Sequence, residues 1–262
     1  MARDSLRSLT ARERTTLLAG LLGAALVAWI VTIDRMHGMD AGPGTALGAF
    51  GWYLGVWVTM MAAMMLPATA PTVLLFARVR RRAQTWAFVL GYLLAWTAYG
   101  LLAYAVYRVI RAAAPSWLAW DERGPWVAGG ALVVAGVYQL TPLKSACLRH
   151  CRSPLHLLLG GRPGSLGAVW MGVEHGAVCV GCCIGLMLAL FALGVMSLVW
   201  MAAVAAVILV EKLLPRGEAF ARAAAVGLVV AGVWVAVAPG SVPGLTDPAG
   251  TGMTPMRMEE SP

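Results

Sequence analysis

Apolar residues dominate this chain in blocks, and the polar positions fall between them. Runs long enough to cross a bilayer occur at about 17–33, 46–77, 86–107, 126–143, 166–193, 195–214 and 219–238. Helices are the expected element, because a spanning segment must satisfy its backbone hydrogen bonds internally. The pattern predicts an all-α fold, a polytopic membrane helix bundle of about seven transmembrane helices. A membrane domain over 17–238 would carry a cytoplasmic tail, 1–16, and an extracytoplasmic tail, 239–262. No internal repeat or low-complexity block divides the chain.

Composition strengthens this reading: 60% of the 262 residues are hydrophobic, 12% are charged, and the mean hydropathy is +0.76. The formal net charge of +8 would suggest nucleic acid in a soluble domain. Here the basic residues cluster between apolar runs and act as topology signals, which argues against nucleic-acid binding. With alternating spans and a cytoplasmic N-terminus, 15 Lys and Arg fall inside and five outside. That asymmetry predicts a protein of the cell inner (plasma) membrane, N-terminus in and C-terminus out. The first run ends at Thr32-Ile33-Asp34-Arg35 without a small-x-small site, so it reads as a retained span.

Within the fifth run, LGAVWMGVEHGAVCVGCCIGLMLALFAL, lie Glu174, His175, Cys179, Cys182 and Cys183. Ionisable groups at membrane depth are costly and mark function. At about 100° per residue, Met171, His175, Cys179 and Cys182 share an arc of roughly 80° on the helix. A thioether, an imidazole and two thiols make a soft-metal ligand set. The second run adds Met60, Met61, Met64 and Met65 within six residues, in two i,i+4 pairs. Thioether sulfur selects Cu(I), whereas a pliable packing seam is the alternative use of methionine. Pro67 and Pro71 follow and predict a kink or break.

Past the fourth run, YQLTPLKSACLRHCRSP places Cys147 and Cys151 at i,i+4 beside Lys144, Arg149 and Arg152. Met36, His37, Met39 and Asp40 lie in the first outer loop, and Met253, Met256 and Met258 in the C-terminal tail. Along the membrane normal this arrangement predicts a ladder: outer thioethers, a mid-depth site, then Cys147 and Cys151 inside. Glu211 beside Lys212 reads either as an interfacial ion pair or as a proton site. Gly172 with Gly176, and Gly181 with Gly185, are small-xxx-small pairs that predict close helix approach.

MHGMDAGPGTALG, WVTMMAAMMLP, YQLTPLKSACLRHCRSP and GVEHGAVCVGCC together resemble a family of bacterial integral membrane proteins of unknown function described as metal-binding. The resemblance covers about residues 30–215. It implies a multi-pass fold and a metal site, and no established transport or catalytic activity.

The expected metal is Cu(I), with Zn(II) the runner-up because Cys and His also serve it. The candidate ligands are Met60, Met61, Met64, Met65, Cys147, Cys151, Glu174, His175, Cys179, Cys182 and Cys183. Copper transport or loading is the leading function, with the lipid bilayer and a metallochaperone or cuproenzyme as partners. A thiol-disulfide oxidoreductase and a non-catalytic scaffold are the alternatives. Enzymatic activity is not the favoured reading. CVGCC lacks the histidine of a haem-attachment motif, and no GxxxxGK[ST] loop is present for ATP.

Overall fold

The computed structural model describes residues 9–36, 47–113, 123–153, 162–195 and 197–241. Among these residues the elements are helical throughout. They are α1 (Ala11–Met36), α2 (Phe50–Ala77), α3 (Arg82–Ala113), α4 (Gly124–Gln139), α5 (Pro142–Arg152), α6 (Gly164–Leu193), α7 (Leu198–Leu213) and α8 (Gly217–Val237), followed by a 3₁₀ turn at Pro239–Ser241. The expected all-α helix bundle is present.

Each of the seven apolar runs forms a helix, but they are not seven equal spans. Helices α1, α2, α3, α6 and α8 are long and apolar enough to cross a membrane, and α4 with α5 makes a sixth candidate bent by 63°. The bend has a local cause. Pro142 cannot continue a helix from α4, so it restarts one as the first residue of α5, and the Thr141 hydroxyl accepts from the Lys144 N–H at 3.2 Å. Helix α7 has 16 residues, about 24 Å, short of the roughly 30 Å hydrocarbon thickness. Gly194 at φ 106° ends α6 ahead of it, and Pro215 forces Leu214 into extended backbone behind it.

Helix α2 does not break at its prolines: it runs as one helix through both Pro67 and Pro71. Residues on nearly every side of it are buried, including Leu66, Ala68, Thr69, Ala70, Thr72 and Val73. Surrounding packing thus holds the helix where two backbone donors are missing.

Side-chain contacts fix the helix directions. Tyr53 and Trp57 donate to the Gly100 and Trp96 carbonyls, so α2 and α3 are antiparallel. Tyr138 donates to the Gly181 carbonyl while Ala135 lies at Gly185, so α4 opposes α6. Helices α3 and α6 run parallel and nearly backbone to backbone. A Cβ added at Gly91 or Gly172 would collide with the carbonyls of Val169 or Phe88. Gly172 and Gly176 both lie in this seam, as the small-residue spacing predicts. The outer faces of α1 (Leu22, Leu26, Val27, Ile30) and α8 (Val226, Val230, Val233) remain exposed and apolar, as a lipid-facing surface requires.

Candidate metal centre

The largest buried cluster is unusually rich in sulfur. Met60, Met61, Met64 and Met65 from α2 pack into the same core as Cys151 from α5, Cys179, Cys182, Cys183 and Met187 from α6, and Met201 from α7. The four α2 methionines are almost fully enclosed. Met36 and Met60 also line a small cleft at one end of this core, with Tyr53, Val56, Trp57 and Val195. His37, Met39, Asp40 and the tail methionines Met253, Met256 and Met258 lie outside the described residues.

At the centre, the sulfurs of Cys151, Cys179 and Cys182 lie within 4.8 Å of one another, all buried. Cys179 and Cys182 share one face of α6 at i,i+3. Cys151 reaches them from α5, whose buried residues Lys144, Leu148 and Cys151 follow an i,i+4,i+7 stripe. Cys183 stands beside the group, its Sγ 3.5 Å from that of Cys182. The Cys182 thiol donates to the Cys179 carbonyl at 3.1 Å.

Two lysines enter this core. Lys212 Nζ donates to Cys179 Sγ at 2.7 Å, and the Tyr92 hydroxyl lies 3.0 Å from the same sulfur. Lys144 Nζ donates to Glu211 Oε2 at 2.7 Å and to the Cys182 carbonyl at 2.5 Å, while Gln139 donates to Glu211 Oε1 at 2.9 Å. The structure therefore revises the reading of Glu211 and Lys212 as an interfacial pair. Both are buried, and they face different partners because consecutive helical residues point about 100° apart.

Three sulfurs at these separations fit a soft cation. At a metal–thiolate bond of about 2.3 Å, two sulfurs in line across one ion stand about 4.6 Å apart and three in a plane about 4 Å apart, and the three here all lie within 4.8 Å of one another. A family model for PpoB2, described as a copper chaperone, matches residues 54–235, which contain every one of these side chains. The chain belongs to this copper chaperone family. No curated protein and no solved structure matches it. Membership, together with the buried thiols and the apolar helices, supports a copper-related, metal-binding role in a membrane protein.

Other candidates from the sequence fall outside the three-sulfur group. Glu174 is 42% exposed and accepts from Arg162 at 3.0 Å and from Trp170 at 2.6 Å, so it faces outward and not toward the cysteines. His175 is buried one turn before Cys179, with its ring 5.8 Å from Phe88 and 5.9 Å from Tyr92, outside the three-sulfur group. Met171 belongs to a different buried cluster. Cys147 is half-buried and lies against Gly181. The ladder of three tiers also changes, because Cys151 joins Cys179 and Cys182 and does not stand apart with Cys147.

Lys144, Lys212, Tyr92 and Gln139 were not among the expected site residues. For the two lysines a signal existed in their placement beside otherwise apolar helix. Tyr92 and Gln139 carried none, since neither residue type is unusual near a helix end or aromatic seam.

Proposed function

We propose that this chain is a multi-pass membrane copper chaperone that holds Cu(I) on Cys151, Cys179 and Cys182 and loads it into a partner. The convergence of three buried sulfurs from α5 and α6 carries the reading. Charge supports it further. Lys144 and Glu211 compensate each other, leaving the Lys212 ammonium at Cys179. Cu(I) held by two thiolates carries one negative charge, which Lys212 neutralises while the third sulfur remains available for exchange. Met60, Met61, Met64 and Met65 supply weaker thioether donors in the same buried core, and half-buried Cys147, one turn from Cys151, hands the ion to the acceptor.

In this reading residues 17–238 form the membrane domain, with the N-terminus cytoplasmic in a bacterial inner membrane. The acceptor is a metallochaperone or cuproenzyme. Loading is favoured over transport because the sulfurs form one enclosed centre in place of separated stations.

The test is metal analysis of detergent-purified protein prepared with copper under reducing conditions. One equivalent of copper per chain is expected, and none in Cys179→Ser/Cys182→Ser with its helical content retained. Unchanged copper in that variant refutes the assignment, and zinc in place of copper refutes the choice of metal. Inward Cu(I) flux by the wild type in sealed vesicles would replace loading with transport.

A further inference from the structure

A second, non-metal site lies at the end of the bundle where α1 begins and α2 ends. A cavity of about 400 Å³ there gathers Arg14 from the first turn of α1, Arg78 at the end of α2 and Arg152 at the end of α5. This volume falls within the range of small-ligand sites, roughly 300–1,000 Å³. Its remaining wall includes Pro71, Leu74 and Leu75 of α2, and among the described residues no acidic one lines it. Arg14 and Arg78 take part in no ion pair among the described residues. Arg152 donates from Nη2 to the Leu214 carbonyl at 2.6 Å, which leaves other donors of its guanidinium available.

A neighbouring cavity of about 330 Å³ provides the contrast. It also contains three arginines, Arg12, Arg80 and Arg82, but Glu13 lies in its wall as an internal anion. That carboxylate accepts from the Thr10 N–H and hydroxyl at 3.1 and 3.2 Å, completing a cap on α1. The first cavity has the same cationic character without such a counter-charge among the described residues.

We infer that the Arg14–Arg78–Arg152 cavity binds the phosphate of an anionic phospholipid. Planar guanidinium groups from three helices match phosphate oxygens in paired hydrogen bonds. Basic cavities between helices at the membrane surface hold anionic headgroups. The apolar wall of Pro71, Leu74 and Leu75 distinguishes a lipid from a free anion, because it extends the site along the direction an acyl chain would take. A bound phosphate would also bridge α5, which supplies Cys151, to α1 and α2. The site itself requires no copper, so its test is separable from that of the metal centre.

Native mass spectrometry of the full chain can compare phosphatidylglycerol with phosphatidylcholine of identical acyl chains. Preferential retention of phosphatidylglycerol is expected. Arg14→Gln/Arg78→Gln should weaken that retention about thirtyfold, the factor for losing two arginine contacts with an anionic headgroup. Equal retention of the two lipids by the wild type overturns the proposal whether or not the variant folds. Wild-type retention in a folded double variant also overturns it. Displacement of the lipid by millimolar inorganic phosphate would assign the cavity to a free anion instead.

Discussion

Lys144 and Lys212 are both buried in the same sulfur-rich core, yet their surroundings differ in kind. Lys144 meets a carboxylate and a backbone carbonyl, and the carboxylate is held in turn by Gln139. Lys212 meets the sulfur of Cys179, itself close to the Tyr92 hydroxyl. The first lysine closes a charge-compensated joint between α5, α6 and α7. The second places a positive charge at a sulfur, where negative charge must develop if metal is to bind. Adjacent parts of one core thus divide the labour: one sets the positions of the helices and the other sets the chemistry.

The largest expected effect breaks the first environment. Lys144→Met leaves Glu211 buried without its cation, a loss of about 3–5 kcal/mol. Thermal melting of the detergent-solubilised protein should show a large drop, and Lys144→Met/Glu211→Met should recover most of it. A single variant that melts like the wild type would mean that the ion pair does not hold the joint.

Breaking the second environment should spare the fold and weaken the metal. Lys212→Met removes a charge-assisted hydrogen bond of about 1.5–3 kcal/mol, which corresponds to roughly ten- to a hundredfold in Cu(I) affinity. Competition with a calibrated Cu(I) chelator measures this directly, and unchanged affinity would assign Lys212 a packing role alone. The two α5 cysteines sharpen the boundary of the site. Cys151→Ser should lose bound copper, whereas Cys147→Ser should retain stoichiometry and slow only transfer to an acceptor. Equal losses in both would extend the centre to Cys147.

The smallest effect is expected at Glu174. With its carboxylate exposed and bonded to Arg162 and Trp170, Glu174→Gln should change stability by less than about 0.5 kcal/mol and leave copper content as it was. A fall in copper content would bring this outward-facing group back into consideration as a ligand.

Much of the architecture is legible in the sequence. Apolar runs identified the helices, the glycine spacing in 172–185 anticipated close packing, and the i,i+3 relation of Cys179 and Cys182 put two thiols on one face. Span lengths were less readable. The apolar run 126–143 continues through Thr141-Pro142, where the backbone cannot carry a regular helix, and the run 195–214 looks long enough to span although Gly194 and Pro215 confine its helix to Leu198–Leu213. The prolines of α2 show the reverse, because local chemistry predicts a break that packing on most sides of the helix overrides.

By itself the sequence determined the helical class, the membrane setting and the soft character of the available ligands, since these depend on composition and on spacing within single helices. Only the tertiary structure decided which ligands meet. Cys151 lies 28 positions before Cys179 and Lys212 lies 33 after it. No periodicity within one helix relates such distant residues. Their meeting depends on the 63° bend after α4, the short reach of α7 and the direction in which each helix crosses the bundle. Glu211 and Lys212, neighbours in the chain, point about 100° apart on α7, and the tertiary packing decides that Lys144 meets one and Cys179 the other.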